Sequence, residues 1–278
     1  MLDHFRRLGA GLSTVTERWV PDAWVICLML TTLAIVLCIF GAGATPEEAV
    51  LAWGAGVWNL LGLAMQFTIA MVAAHACVAS RPVYRLFNWL ASLPNPDKPT
   101  QALILAGLFS LVMGYLNWAV CLVSCALFTP FVLRQNPNVD VRVLICASYL
   151  GLGTVWHGGL SGSAPLILAT PDNPLLDPAS GSAVVTRLYP VTETLYNGFN
   201  LVFLVVIGAT GLIATCLLHP REGVRTLTRE QAERIMPKPP EDDPPPRTPA
   251  EYIDQNRFWI LLAVVLLGYP LGQIGRAH

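Results

Sequence analysis

Residues 143–171 read VLICASYLGLGTVWHGGLSGSAPLILATP, a run of 29 residues with no Asp, Glu, Lys or Arg. A straight membrane-spanning helix needs roughly 20 mostly apolar residues, so the run is longer than one crossing requires. Its centre is His157-Gly158-Gly159-Leu160-Ser161-Gly162-Ser163-Ala164-Pro165, with three glycines and a proline between 158 and 165. Both residue types oppose a continuous helix, glycine through backbone entropy and proline through its missing N–H. Irregular backbone exposed to lipid leaves polar groups unsatisfied, and it is tolerated only where buried or lining a cavity. The run therefore reads as one crossing whose middle is unwound and shielded by protein.

The rest of the chain supports a membrane setting. Hydrophobic residues make up 54% of it and charged residues 13%, about half the charged share of a soluble domain. Mean hydropathy is +0.54. Four further windows lack Asp, Glu, Lys and Arg: 23–43, 57–79, 102–133 and 197–218. One such window suits a buried soluble helix, but five in one chain require a polytopic all-α membrane protein. A net charge of −1 supplies no basic footprint for nucleic acid. The seven cysteines all lie in apolar windows and read as small buried residues. Ala42-Gly43-Ala44 matches a signal-cleavage pattern, but the preceding apolar run exceeds a signal core, so it reads as a retained span.

Basic residues in short loops give the orientation. Residues 1–20 carry three arginines among spaced apolar positions and read as a cytoplasmic interfacial helix. Loop 44–56 carries Glu47 and Glu48 without a basic residue and should be external. Loop 80–101, with Arg81, Arg85 and Lys98, returns inside. The spans of the transmembrane region 21–218 are then about 23–43 and 57–79, a hairpin at 102–133, the broken span 143–171, and 197–218. With 134–142 cytoplasmic and 172–196 external, 102–133 must enter and leave on one side. Its 32 residues (102–133) suggest two half-helices of a re-entrant hairpin, turning at Gly114-Tyr115-Leu116-Asn117-Trp118. Residues 219–256 read as a cytoplasmic Pro-rich linker, extended over the run Pro237 to Pro249, and 257–278 as the start of a further span that is cut short. The setting is a bacterial inner (cytoplasmic) membrane with the N-terminus cytoplasmic.

Candidate binding residues follow from the breaks. Freed carbonyls with the hydroxyls of Ser161 and Ser163 suit a small cation, and freed amides at the next half-helix suit a carboxylate. Gly158, Gly159 and Gly162 would supply backbone groups, and Asn117 a carbonyl oxygen at the hairpin turn. Asn117, Ser161 and Ser163 could hold Na+. The alternative is that the glycines allow close helix packing and the serines bond to backbone. His157 could bind a carboxylate or relay a proton, or be a neutral, hydrogen-bonded histidine; His75, near a span end, reads as structural. Asn59 and Gln66, seven residues apart on the second span, would share a face as binding groups or as interhelical glue. No organic cofactor is indicated, and the coupling ion is Na+ or H+.

Trp19-Val20-Pro21-Asp22, Trp53-Gly54, Trp58-Asn59-Leu60-Leu61, Asn117-Trp118, Gly158 through Leu166, Ala169-Thr170-Pro171 and Gly198-Phe199-Asn200 together resemble the short-chain fatty acid transporter family, within the ion transporter superfamily. The resemblance implies ion-coupled uptake of small carboxylates such as butyrate or acetoacetate. It also implies two inverted repeats, each with a re-entrant hairpin and a discontinuous transmembrane helix. This chain holds one repeat, so it reads as the N-terminal half of a transporter, with a second copy or a separate second half as partner. Two other readings compete: an inactive transporter fragment, and a rhomboid-type intramembrane serine hydrolase, since Gly159-Leu160-Ser161-Gly162 matches G-x-S-G and would need a histidine base from another span.

Overall fold

The computed structural model describes residues 9, 11–12, 15–16, 18–171, 185, 187–220, 222–238, 247–254 and 258, with the backbone alone at 59, 62, 63, 66, 77, 229, 250, 251 and 254. The described residues are helical, without a strand, and the protein is an all-α polytopic membrane protein. Four of its helices are long and apolar enough to cross a bilayer. The first, α1 (Ala23–Ala42), starts where Asp22 accepts the Trp24 N–H at 2.8 Å and ends at Gly43, whose φ of 73° is the left-handed closing turn that glycine adopts freely. None of its residues is buried. A helix apolar all round and uncovered by protein is stable only in lipid.

Two segments read as loops are helical. Pro46–Asn59 forms α2, followed after Leu60 by α3 (Leu61–Val78). The signal lay in Thr45-Pro46-Glu47-Glu48: Thr45 Oγ1 accepts the Glu48 N–H at 3.3 Å, and a Glu48 oxygen accepts the Thr45 N–H at 2.8 Å. That is a reciprocal capping box with proline in the first turn and acidic residues at the positive helix end. The expected external loop 44–56 is thus mostly helix. Loop 80–101 holds α4 (Arg81–Ala91), which buries Phe87 and Ala91 and leaves Arg85, Asn88 and Trp89 outward.

Window 102–133 forms two antiparallel helices, α5 (Pro99–Leu116) and α6 (Trp118–Gln135), each 18 residues long. Each extends about 27 Å at 1.5 Å per residue, so the arms exceed the half-helices expected from the charge-free window; Pro99 at one end and Asn136 at the other set the limits. The broken span follows as α7 (Val141–Ser148), α8 (Leu150–Gly153), a 3-10 turn (Trp156–Gly158) and α9 (Ser163–Ala169). A short turn, α10 (Val191–Thr194), precedes α11 (Gly198–Leu218). Residues 172–184 and 259–278, including nearly all of the expected final span, lie outside the described residues, as do residues 1–8 of the expected interfacial helix.

The core lies between α4, α5, α6 and α7. Phe87 meets Phe128 and Phe131 with ring centroids 5.1 and 5.8 Å apart, and Phe128 meets Phe109 at 4.6 Å. Edge-to-face and tilted aromatic pairs add about 0.5–1.5 kcal/mol each beyond the area they bury. The broken span docks on the hairpin through small residues and buried hydroxyls. Ser110 Oγ accepts the Gly151 N–H at 2.9 Å, and Thr129 Oγ1 lies 2.9 Å from Ser148 Oγ. A Cβ on Gly114 would stand 2.7 Å from the carbonyl carbon of Gly151, so glycine is required for α5 and α8 to approach this closely.

Residues 239–246, the middle of the run Pro237 to Pro249 expected to be extended, lie outside the described residues, but the segment 222–238 after α11 is packed. It folds back as a strap beneath the hairpin, with a single-turn α12 (Arg229–Arg234) closed by a Thr228–Gln231 capping box. Ala232 is buried, and Leu227 and Met236 pack on the core. Asp140 anchors the strap. Its carboxylate is fully buried and caps α7 by accepting the N–H groups of Arg142 at 3.0 Å and Val143 at 3.3 Å. It also accepts the Arg142 guanidinium through two bonds, at 3.2 and 3.0 Å, and the Arg225 N–H at 2.9 Å. The Arg225 carbonyl in turn accepts the Val141 N–H at 2.9 Å, and His219 Nε2 accepts the Asp140 N–H at 3.2 Å. Burial raises the Asp140 carboxyl pKa, but the Arg142 side chain and the Arg225 and Val143 amides outweigh it, so the group is held below the usual carboxylate range. A short α13 (Pro249–Asp254) lies further along the same Pro-rich segment.

Candidate functional site

The hairpin turn is made by Asn117 alone. Its backbone is extended (φ −160°, ψ 130°), its N–H closes α5 on the Met113 carbonyl, and its side chain opens α6. Asn117 Oδ1 accepts the Ala119 and Val120 N–H groups at 2.9 and 3.1 Å, and the Asn117 carbonyl accepts the Cys121 N–H at 2.9 Å. Asparagine favours this position because its short carbonyl reaches the amides that a helix start leaves unpaired. The remaining amide, of Trp118, crosses to the broken span and donates to Ser161 Oγ at 2.9 Å. In return, the Leu160 N–H donates to the Tyr115 carbonyl at 2.8 Å. The turn and the break, far apart in sequence, form one polar unit.

The break satisfies itself in the same economical way. Gly159 N–H donates to the Trp156 carbonyl and Gly162 N–H to the Gly159 carbonyl, each at 2.9 Å. The Trp156 indole N–H donates to the Ser161 carbonyl at 3.1 Å. Asn200, on the first turn of α11, donates from Nδ2 to the Gly158 carbonyl at 3.0 Å and to the Leu195 carbonyl at 2.8 Å. Gly159 has φ −92° and ψ −179°, a conformation open to any residue. Its need is for space: a Cβ there would stand 2.5 Å from the Tyr115 oxygen and 2.8 Å from its Cα. At Gly162 a Cβ would collide with the His157 carbonyl. The glycines thus serve close packing and Ser161 bonds to backbone, as the alternative reading has it, but both occur where the hairpin turn meets the unwound segment.

The expected site residues divide accordingly. Asn117, Gly158, Gly159, Ser161 and Gly162 come together. Ser163 does not: it is exposed at the start of α9, and its side chain makes no hydrogen bond among the described residues. Of the three oxygens expected to hold Na+, those of Asn117 and Ser161 each accept amides at the positive end of α6. His157 is exposed, its ring 4.3 Å from that of Trp156 and tilted 31° to it. Asn59 ends α2 and Gln66 lies in α3, on two consecutive helices divided at Leu60; their side chains lie outside the described residues. Among the described residues, no three His, Cys, Asp or Glu side chains gather as a metal site.

Several participants were not singled out from sequence. Asn200 ties α11 to the break, and Trp156 braces it internally. Trp118 is walled by Phe67 of α3, with ring centroids 5.1 Å apart, and by Trp156 at 6.3 Å. An apolar groove of about 520 Å³ runs between α5 and α11 and includes Leu111, Tyr115, Val155 and Leu204. Polar backbone at the tip and an apolar groove beside it suit a small amphiphile better than an ion alone.

The chain is 33% identical over 261 residues to a protein of Escherichia coli strain K12, covering 92% of this chain and 56% of that protein. It is 28% identical over 280 residues to one of Haemophilus influenzae strain Rd, covering 98% of this chain and 58% of that protein. Both are named "Putative short-chain fatty acid transporter". The chain thus spans a little over half the length of these curated relatives. No solved structure matches it. The family model for short-chain fatty acid transporters matches residues 4–273, and the chain therefore belongs to the short-chain fatty acid transporter family.

Proposed function

We propose that this chain contributes the substrate-handling repeat of a secondary transporter for small carboxylates, such as butyrate or acetoacetate, coupled to Na+ or H+. The observation that carries the reading is the bond pair between hairpin turn and break: Trp118 N–H to Ser161 Oγ at 2.9 Å and Leu160 N–H to Tyr115 O at 2.8 Å. A carboxylate arriving at this point would take over amides at the start of α6 that Ser161 and Asn117 now hold, where the helix dipole favours an anion. Its apolar tail would lie along the α5–α11 groove.

We further read the hairpin as re-entrant from the cytoplasmic side of an inner membrane, with the N-terminus cytoplasmic. Val141–Gly153, reaching the break, amounts to about 20 Å of helix and Ser163–Ala169 to about 10 Å; the hairpin tip bonds to the segment between them. That supports a tip within the membrane. A serine-hydrolase mechanism has no support in the geometry. Ser161 Oγ accepts a backbone N–H, and no described histidine bonds to it.

Uptake of radiolabelled butyrate and acetoacetate by cells expressing the intact protein tests the reading. Ser161→Ala and Asn117→Ala should each reduce uptake at unchanged membrane levels; full uptake in both variants refutes the site. Replacing Na+ with K+ at fixed pH identifies the coupling ion: uptake that survives the exchange assigns H+.

A further inference from the structure

The strap closes a second pocket, remote from the hairpin tip. It has a volume of about 250 Å³, and its lining includes His75, Val78, Tyr84, Leu127, Phe131 and Lys238. These come from the end of α3, from α4, from the middle of α6 and from the strap. The floor is apolar: Val78 and Phe131 are buried, and Tyr84 meets Phe131 edge to face with ring centroids 4.9 Å apart. The polar groups stand at the exposed side, where His75 and Lys238 are solvent-accessible. Neither of these two side chains, nor the Tyr84 hydroxyl, has a hydrogen bond or ion pair among the described residues. Among the described residues, no Asp or Glu lines the pocket.

An apolar cavity whose polar groups are an ammonium, an imidazole and a phenol selects by charge and by shape. Lys238 offers three donors, and His75 an N–H in either protonation state. A cation meets Lys238 with no carboxylate of the described lining to offset it. A neutral apolar molecule leaves these donors unused. A carboxylate with a short tail satisfies both ends, its oxygens at the mouth and its chain on Phe131. At roughly 30 Å³ per non-hydrogen group, the liquid volume of a water molecule, the pocket holds on the order of eight such groups.

From this we infer a second carboxylate site, formed by α3, α4 and α6 and closed by the strap at Pro237 and Lys238, that takes a monocarboxylate with an apolar tail of a few carbons. The occupant is either the transported acid or the end of a membrane fatty acid. The inference rests on the pocket's own lining and stands apart from the hairpin-tip site.

Photolabelling tests it. The full chain in lipid nanodiscs would be irradiated with a diazirine-bearing five-carbon carboxylic acid and its labelled peptides mapped by mass spectrometry. Label is expected on segments 75–87 and 127–131. Lys238→Gln should lower that label about fivefold, the scale of one lost exposed charge contact. Label at residues 115–118 and 156–161 should persist in the same variant, which separates this pocket from the tip. Competition by butyrate assigns the transported acid, and competition by palmitate alone assigns a membrane fatty acid; either supports the pocket. Absence of label from both segments, label unchanged by both Lys238→Gln and His75→Gln, or equal competition by butylamine overturns it.

Discussion

Gly159→Ala isolates the contact between the hairpin turn and the break. The wild-type backbone at this position is open to alanine (φ −92°), so the substitution carries no conformational penalty of its own. The new methyl would instead stand 2.5, 2.8 and 3.1 Å from the oxygen, Cα and carbonyl carbon of Tyr115. All three are backbone atoms at the end of α5, with no flexible side chain to yield. Relief requires the turn and the break to move apart, and overpacking of this kind costs about 1–3 kcal/mol. Separation also strains the Leu160–Tyr115 and Trp118–Ser161 hydrogen bonds, each contributing about 1 kcal/mol net. The total is about 3–5 kcal/mol against the joined arrangement. At a factor of about 10 per 1.4 kcal/mol, a joined state that is otherwise dominant loses most of its population. Butyrate uptake should fall at least about tenfold. Gly56→Ala in α2 is the control, since a Cβ there meets nothing within 4 Å and alanine favours the helix. Uptake within about twofold of wild type for Gly159→Ala, with an unchanged unfolding temperature in detergent, would refute the coupling of turn and break.

Two further outcomes are expected. Asp140→Asn removes charge-assisted bonds to Arg142 and sets an amide against the Arg225 N–H, so it should cost about 2–4 kcal/mol of stability near neutral pH, measured by thermal unfolding. Because the Asp140 pKa is depressed by folding, this stabilisation is fully present above the unfolded aspartate value of about 3.9 and declines as pH falls through the folded value; the gap between wild type and variant should be constant above about pH 5 and narrow below pH 4. Asn200→Asp keeps the shape of the side chain but removes both donors, leaving the Gly158 and Leu195 carbonyls unpaired at about 1–3 kcal/mol. Uptake should fall while membrane levels hold, and unchanged uptake would exclude Asn200 from the site.

Much of the architecture was legible because lipid imposes a long-wavelength signal. Absence of charge marked every apolar segment, and the glycines with Pro165 marked the break. Asn117 was legible because a turn near the middle of 102–133 needs a residue that can cap a helix. Partnerships were less accessible. Nothing local to Trp118 announces Ser161, 43 positions away, since that pairing depends on how α6 packs against the broken span. Asn200 was visible only within a family-like triplet, because its partners are carbonyls that any residue carries. The packing of the strap is hidden in sequence because its anchors, Leu227, Ala232 and Met236, are single apolar residues among charges. The helix at 46–59 is masked for a different reason: Thr45 and Glu48 spell a capping box, but Glu47 and Glu48 without a basic residue are also the charge pattern of an external loop.

The strap also bears on how the protein is made. Asp140 acquires its Arg225 amide from a residue 85 positions downstream, which leaves the ribosome well after the hairpin and most of the broken span. Until then the carboxylate lacks one of its amides, and the Val141 N–H lacks its carbonyl partner. The base of the hairpin can be sealed only after α11 has been inserted and its exit segment has returned. Biogenesis thus acquires a natural last step: a nascent chain halted before Arg225 would hold its helices with the latch still open.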